Sequence, residues 1–157
     1  MVAIALYQPD IPLNVGAAIR LCRCLDVRLH IIEPCGFVWD ERRIRQAALD
    51  YFDPTAIQRW MDWDTFYSAR GNSRIILLTT KSPEPYLETA FQDDDILLLG
   101  REGAGVPDTV HTSADGRVTI PMGTHGRSLN IMAAATLVLG EALRQTGHFQ
   151  TLTKGQS

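Results

Sequence analysis

The apolar positions of the chain fall into short unbroken runs that alternate with stretches of helical periodicity. The runs predict strands over Val2–Tyr7, Arg28–Glu33, Arg74–Thr80, Asp95–Leu99 and Arg117–Pro121. The third and fourth runs each carry four consecutive aliphatic residues rather than an alternation, which is typical of strands covered on both faces.

Helical periodicity marks three further segments. Apolar residues three or four apart predict a helix over Asn14–Leu25, and Asp40 is a suitable N-cap for a second helix over Glu41–Leu49. The longest helix is expected over Ser128–Gln145, with Gly147 as its stop. Strands that alternate with helices predict an α/β fold, with a mainly parallel sheet flanked by helices.

Two loops that follow predicted strands contain residues suited to ligand binding. Residues 8–16 include Asn14 and lead into a helix that carries Arg20, although Asn14 is equally compatible with a plain N-cap and Arg20 with a solvated position. Residues 100–107 hold three glycines around Glu102, which lets the backbone approach a ligand or form a tight turn. Ligands of parallel sheets bind at the carboxyl ends of strands, where both loops are expected.

A third loop, residues 120–130, leads into the longest predicted helix. Ser128 is a candidate N-cap for that helix, and Asn130 is expected in its first turn. The free amide groups of a helix N-terminus suit a carboxylate or a phosphate. His125 stands between glycines in this loop and is compatible with a surface position or with substrate contact.

Composition limits the classes of function. The chain has 157 residues, enough for one domain, and a net charge of −3, so nucleic acid binding requires a local basic patch. The odd cysteine count (Cys22, Cys24 and Cys35) and the lack of a signal-like segment favour a reducing cytoplasm. No apolar run approaches the length of a membrane span.

Several familiar sites are disfavoured by spacing. No G-x-G-x-x-G follows the first strand, and no phosphate-binding loop of the G-x-x-x-x-G-K-[ST] type is present. The cysteines and the four histidines are too scattered for a zinc site, so no metal is expected and the thiols are interpreted as buried and inert.

The three loops together resemble the three motifs of the SPOUT superfamily of RNA methyltransferases, most closely the small TrmL branch of its SpoU type. The motifs read PDIPLNVGAAIRLCRC, LLLGREGAGVP and IPMGTHGRSLNIMAAA. The segment RLHIIEPCGFVWDERRIRQAALDY also fits that branch, so the resemblance spans residues 2–147. Each motif alone is a weak signal, whereas all three in this order are a strong one.

The resemblance implies a fold and a cofactor. The fold would be a single SPOUT domain over residues 1–157 with a deep C-terminal trefoil knot, and the residues after about 148 would form a flexible tail. The methyl donor would be S-adenosylmethionine, without a metal, and the protein would be a homodimer whose active site uses both chains. The implied cofactor-binding residues are Leu78, Gly100, Ile120, Met122 and Ser128.

The resemblance also implies a reaction. The enzyme would methylate the ribose 2′-hydroxyl of the wobble nucleotide, cytidine or carboxymethylaminomethyluridine, in the anticodon stem-loop of leucine tRNAs. The alternatives are a ribosomal RNA 2′-O-methyltransferase of the same family and a catalytically silent RNA-binding protein. The implied catalytic residues are Asn14, Arg20, Glu102, Ser128 and Asn130. Because a guanidinium is almost always protonated, either a bound phosphate and burial help Arg20 to act as base, or Arg20 positions a phosphate and another group takes the proton.

RNA contact would rely on local positive charge. The candidate residues are Arg23, Arg42, Arg43, Arg45 and Arg127. Phe37 and Trp39 lie beside this cluster in sequence and suit either base stacking or the core. Three features depart from the family pattern. Arg101 and the stretch Gly123–Gly126 adjoin the cofactor site, and Gly140 lies in the long helix beside the position where relatives often carry a tyrosine at the dimer interface.

Overall fold

The fold is an α/β sandwich built on one sheet, and a computed structural model describes residues 1–154 of it. The strands are β1 (Ala3–Tyr7), β2 (Arg28–Ile32), β3 (Ile57–Trp60), β4 (Ile75–Leu78), β5 (Ile96–Leu99) and β6 (Gly116–Val118). The α-helices are α1 (Pro12–Cys24), α2 (Glu41–Ala48), α3 (Trp63–Ala69), α4 (Asp108–Ser113), α5 (Ile131–Gln145) and α6 (His148–Lys154).

All neighbouring strands of the sheet are parallel, in the order β3-β2-β1-β5-β4-β6. The predicted fold class is therefore confirmed, while the trefoil knot stays a prediction. Leu99 is level with Leu6 on one side and with Leu78 on the other, and Leu78 is level with Val118. The carboxyl ends of the four strands β1, β5, β4 and β6 therefore lie in a row.

The central strands are buried on both faces, which explains their unbroken apolar runs. Ile4 and Leu6 of β1 belong to one apolar layer, which also contains the inward faces of α1, α2 and α5. Ala3 and Ala5 belong to the opposite layer, together with residues of α3 and α4. Helices thus cover both sides of the sheet, as the continuous hydrophobicity predicts.

The sequence analysis missed strand β3 and helix α3. β3 lies at the edge of the sheet, and its Gln58 and Arg59 are exposed, so the strand lacks the apolar run by which the others are recognised. α3 has only seven residues, but a capping box begins it, with Asp62 Oδ1 accepting from the amide of Thr65 at 2.8 Å.

The three predicted helices exist, but α1 and α5 begin at residues other than the predicted ones. α1 begins at Pro12 with Ile11 as its N-cap, so Asn14 lies inside the first turn and is not a cap. Proline suits this position because its missing N–H would have no partner there. Asp40 is confirmed as the N-cap of α2, since its Oδ1 accepts from the amide of Arg42 at 2.9 Å.

The end of the chain differs from the expected flexible tail, because residues 148–154 form α6. Gly147 is confirmed as the stop of α5, with a φ of +72° that lets the chain turn. Nε2 of His148 then lies 2.8 Å from the carbonyl oxygen of Leu25, which ties α6 to the end of α1. Residues 155–157 of the expected tail lie outside the described residues, and the single domain stays a prediction.

Within residues 1–154, the structure has no helix that is both long and apolar enough to cross a bilayer.

The buried carboxylate of Asp95 gives a test of the fold. It is fully buried just before β5 and accepts hydrogen bonds from Nε and Nη2 of Arg74 at 2.8 and 2.7 Å and from the amide of Gln92 at 2.8 Å. We expect Asp95→Ala to lower the free energy of unfolding by about 3 kcal/mol, because these donors lose their acceptor. Urea unfolding at fixed protein concentration measures this loss. The neighbouring exposed Asp94→Ala is the control, and equal midpoints for the two variants would contradict the prediction.

Candidate active site

The loops that follow β1, β4, β5 and β6 surround one cavity at the carboxyl edge of the sheet. Its volume is about 490 Å³, which is within the usual range for pockets that hold small molecules. The first turn of α1 and the start of α5 complete its wall. The cavity therefore lies where parallel sheets commonly bind their ligands.

Glu102 joins two sides of this cavity. Its Oε1 accepts a hydrogen bond from Nδ2 of Asn14 at 3.0 Å, and its Oε2 accepts from the amide of Asp10 at 2.8 Å. Asn14 is buried, so its amide is fixed by this contact rather than by solvent. The predicted residues Asn14 and Glu102 thus form one hydrogen-bonded unit.

The glycine-rich loop that carries Glu102 closes on itself. The amide and carbonyl groups of Arg101 and Gly105 pair with each other at 2.9 Å, and Gly105 has a φ of +66°. A side chain at Gly100 would bring its Cβ within 2.6 Å of the Gly105 carbonyl carbon. Glycine at position 100 is therefore required for this closed shape.

An ion pair ties the same loop to the segment that precedes α1. Nη2 of Arg101 lies 2.7 Å from Oδ1 of Asp10. The hydrogen bonds from Arg101 hold the pKa of Asp10 below its usual range, and those to Asp10 raise the pKa of Arg101. Asp10 is thus held through its backbone by Glu102 and through its side chain by Arg101.

The start of α5 differs from the prediction. Asn130, not Ser128, is the N-cap, because its Oδ1 accepts from the amides of Met132 at 2.8 Å and Ala133 at 3.3 Å. The segment 121–130 before the helix is exposed throughout. Ser128 therefore lies in the loop, where its hydroxyl is available to a ligand instead of the helix backbone.

The five predicted cofactor-binding residues all line this cavity, and so do three further predicted catalytic residues. The lining residues among the predictions are Leu78, Gly100, Ile120, Met122, Ser128, Asn14, Glu102 and Asn130. The structure thus brings together residues from all three loops, which lie far apart in sequence.

The cavity wall fits a molecule with the chemistry of S-adenosylmethionine. Apolar side chains such as Leu78, Ile120 and Ile131 suit a flat purine, and polar groups such as Lys81 and Ser128 suit the ribose and the charged amino-acid portion. In addition, Nε2 of the lining residue His111 is buried without a hydrogen-bond partner in residues 1–154.

Within residues 1–154 there is no group of three metal-binding side chains, although the expected absence of a metal stays a prediction.

Arg20 does not line the cavity formed by its own chain. It is exposed on α1, and its guanidinium carbon lies 5.6 Å from the centre of the Tyr51 ring. The predicted RNA-binding arginines are exposed too, and none of them lines the cavity: Arg23, Arg42, Arg43, Arg45 and Arg127. One chain therefore assembles the predicted cofactor site without the predicted catalytic arginine.

The cysteines are free, as the odd count suggests. Burial raises the pKa of Cys22 to about 12 and that of Cys35 to about 11, and nearby Glu33 adds to the shift of Cys35. Both thiols are protonated at neutral pH, which makes them poor nucleophiles. Cys24 is exposed.

The model of the SpoU rRNA methylase family matches residues 1–140. The chain belongs to this family.

Members of the family resemble the chain over nearly its whole length. The tRNA (cytidine(34)-2′-O)-methyltransferase of Beijerinckia indica subsp. indica is 51% identical over 146 residues, covering 92% of this chain and 91% of that protein. A structure described as "Structural insights into the 2-OH methylation of C/U34 on tRNA" has a TM-score of 0.85 and 32% identity, covering 92% of this chain and 95% of that one.

A larger relative has been solved with a cofactor. The SpoU methyltransferase AviRb from Streptomyces viridochromogenes, in complex with AdoMet, has a TM-score of 0.76 and 27% identity, covering 92% of this chain and 57% of that one. The membership in this family, which the three motifs predict, is confirmed.

Some residues of the cavity were missed by the sequence analysis. Thr79, Thr80 and Lys81 line it directly after β4, and the rule that ligands bind at the carboxyl ends of parallel strands would have found them. His111 comes from α4, and no pattern in the sequence marks it. The pairing of Asp10 with Arg101 was also missed, because nothing local connects residues that far apart.

The N-cap of α5 can be tested by a matched pair of variants. We expect Asn130→Ala to lower the free energy of unfolding by about 1 kcal/mol, because two amides of the first turn lose their acceptor. Ser128→Ala should change it by less than about 0.5 kcal/mol, as is usual for an exposed loop side chain. Denaturant unfolding of both variants measures the difference. A larger loss of unfolding free energy for Ser128→Ala would identify Ser128 as the N-cap.

Proposed function

We propose that this protein transfers a methyl group from S-adenosylmethionine to the ribose 2′-hydroxyl of the wobble nucleotide in the anticodon loop of tRNA. The observation that carries the proposal is the meeting of the three motif loops at one cavity, in a chain similar over 92% of its length to a tRNA (cytidine(34)-2′-O)-methyltransferase. The substrates we propose are leucine tRNAs with cytidine or carboxymethylaminomethyluridine at that position. A tRNA substrate also favours a cytoplasmic location.

A second candidate is methylation of ribosomal RNA by the same chemistry. The description of the matching family, which names rRNA, favours it. A relative with tRNA activity in its name is 51% identical over 92% of this chain, so tRNA is the preferred substrate. A silent RNA-binding protein is the remaining alternative.

The cofactor site would be formed by Leu78, Gly100, Ile120, Met122 and Ser128. When bound, S-adenosylmethionine supplies a methyl group that its sulfonium already makes electrophilic. The chain therefore mainly has to align the ribose hydroxyl and assist the loss of its proton. No metal is required for this chemistry.

The hydrogen-bonded unit of Asn14 and Glu102 would hold the floor of this site in a fixed position. Both oxygens of Glu102 already accept hydrogen bonds from protein donors, so we assign this carboxylate a positioning role rather than that of a base. Ser128 and Asn130, at the start of α5, would hold the ribose or the cofactor from the other side.

Arg20 would act on the RNA. A guanidinium stays protonated at neutral pH, so we assign Arg20 to binding the phosphate beside the target ribose and to orienting the 2′-hydroxyl, whose proton would pass to another acceptor such as water. Its exposure and its absence from the lining of the cavity of its own chain support a site shared by two chains. In a homodimer, the arginine of one chain would serve the cavity of its partner.

Exposed apolar residues on the helices support the homodimer. Leu13 on α1 is 66% exposed and Leu137 on α5 is 47% exposed, although both helices otherwise bury apolar faces. A second copy of the chain would cover such residues. Gly140, also on α5, has no atom of residues 1–154 outside its own helix backbone within 4 Å of where a side chain would begin, which leaves room for close approach of a partner helix.

Positive charge for the RNA backbone would come from Arg23, Arg42, Arg43, Arg45 and Arg127. Arg42 and Arg43 lie in the first turn of α2, where their side chains are exposed. They would bind phosphates of the anticodon stem-loop without reading its sequence.

The reaction can be tested with labelled S-adenosylmethionine and tRNA from a strain that lacks this gene, with ribosomal RNA alongside. We expect label on the 2′-oxygen of the wobble nucleotide, identified by nuclease digestion and mass spectrometry. Arg20→Ala should lower the rate at least about a hundredfold, because the ribose loses its orienting group. Its affinity for S-adenosylhomocysteine should stay within a few-fold of wild type.

Label in ribosomal RNA alone would select the second candidate. Binding of RNA and cofactor without any transfer would select the silent protein. Full activity of Arg20→Ala would remove this residue from the reaction.

The shared site can be tested by mixing Arg20→Ala with Glu102→Gln. We expect the second variant to be inactive as well, because the amide nitrogen of glutamine cannot accept one of the two hydrogen bonds that Glu102 accepts. Random pairing makes half of the dimers mixed, and each mixed dimer contains one site with both residues intact if the site uses both chains. We therefore expect co-expressed variants to regain about a quarter of the wild-type rate. No recovery would place Arg20 at the cavity of its own chain, and a monomeric mass with full activity would exclude the dimer.

A further inference from the structure

The segment that follows β2 lies directly against the loops of the cavity. The amide of Gly36 donates to the carbonyl of Pro9 at 2.9 Å, and a Cβ at Gly36 would lie 2.3 Å from Oδ1 of Asp10. Asp10 in turn is bound by Glu102. Residues 33–39 are therefore in contact with the segment that braces the proposed active site.

Three flat side chains are layered in this segment and on the neighbouring strand. The rings of Phe37 and Trp39 are stacked, with centroids 6.3 Å apart and planes within 20° of each other. The guanidinium carbon of Arg59, on β3, lies 4.2 Å from the centre of the Trp39 ring. We call these three residues the stacked triad.

Glu33 holds the guanidinium of Arg59 through two nitrogen atoms along the edge of that group. Oε1 of Glu33 accepts from Nε of Arg59 at 2.6 Å and also forms an ion pair with Nη2. A carboxylate that binds the edge of a guanidinium leaves its two flat faces free. One face lies on Trp39, while the Arg59 side chain as a whole remains 42% exposed.

The stacked triad does more than cover the apolar core. Phe37 and Trp39 do pack partly against the apolar core, which accounts for their inner edges. Val38 between them, however, is 90% exposed, so the segment stands at the surface. A preformed, exposed guanidinium plane above aromatic rings is the kind of surface on which unpaired RNA bases stack.

We propose that the stacked triad binds an unpaired base of the RNA substrate, next to the nucleotide whose ribose is methylated. The base would lie on the outer face of Arg59 and extend the stack of Phe37, Trp39 and Arg59 by one layer. This inference rests on the proposed function, since it takes a single-stranded RNA loop as the partner.

Charge around the triad distinguishes its role from that of the nearby arginines. Glu33 neutralises Arg59, so the triad contributes stacking rather than net positive charge. Arg42 and Arg45, on α2, form no ion pair with another side chain of residues 1–154, so they suit phosphate contact. Removal of the stacking plane should therefore weaken RNA binding equally at low and high salt, whereas loss of a phosphate contact should reduce the salt dependence.

The structure contains a matched control for this chemistry. Arg70 lies 4.3 Å from the centre of the Tyr67 ring and pairs with Asp115, so it is also a guanidinium on an aromatic ring with a carboxylate partner. It lies before β4, at the amino ends of the strands and thus at the opposite edge of the sheet. Arg70→Lys makes the same chemical change away from the proposed RNA surface.

The test uses an anticodon stem-loop RNA with 2-aminopurine beside the wobble position. Arg59→Lys keeps the charge but removes the flat plane, and we expect it to weaken binding about tenfold at every salt concentration, as is typical for loss of one stacked base. The wild type should quench the 2-aminopurine emission and Arg59→Lys should not. Trp39→Leu should behave like Arg59→Lys, Trp39→Phe should largely restore binding, and Arg70→Lys should match the wild type.

Controls and outcomes separate this inference from the proposed function. Thermal unfolding and the affinity for S-adenosylhomocysteine check that each variant is folded with an intact cofactor site. If the wild type methylates the wobble ribose but Arg59→Lys binds and quenches like wild type, the stacking inference is wrong and the proposed function stands. If the wild type neither binds nor methylates this RNA, both are wrong.

Discussion

The carboxylate of Glu102 links the two loops that meet at the cavity. Glu102 accepts one hydrogen bond on each oxygen, from donors that lie 88 and 92 residues away in the chain. One donor is the backbone of Asp10 and the other is the side chain of Asn14, so the carboxylate fixes both the loop before α1 and its first turn. The ion pair of Arg101 with Asp10 adds a second link between the same two loops. Together these contacts hold the glycine-rich loop against the segment that leads into α1.

The hydrogen bonds of Glu102 to Asp10 and Asn14 are possible only because β1 and β5 are neighbours in the sheet. Both strands are apolar at every position, and this favours the centre of a parallel sheet covered on two faces. Their common register brings the two following loops to the same edge. A reaction that depends on alignment more than on strong acid or base groups benefits from loops held in this way by the sheet.

The sequence predicted those features that depend on local pattern. The apolar runs located the four interior strands and the edge strand β6, and the glycines around Glu102 marked the cavity loop. The edge strand β3 was missed because its outward residues, such as Gln58 and Arg59, are polar. The role of Asn14 needed the structure, because an asparagine near a helix start looks like an N-cap until its long-range partner is known. The separation of Arg20 from the cavity is likewise a property of the three-dimensional arrangement that no spacing in the chain reveals.

The shape of the glycine-rich loop depends on its backbone and not on side chains at its exposed positions. Its closure rests on backbone pairing between Arg101 and Gly105 and on the absence of a side chain at Gly100. Position 103, in contrast, has no neighbouring atom where a side chain would begin, and Ala104 is exposed. Side chains at residues 103 and 104 can therefore vary and alter the lining of the cavity, while the backbone pairing beneath them keeps its shape.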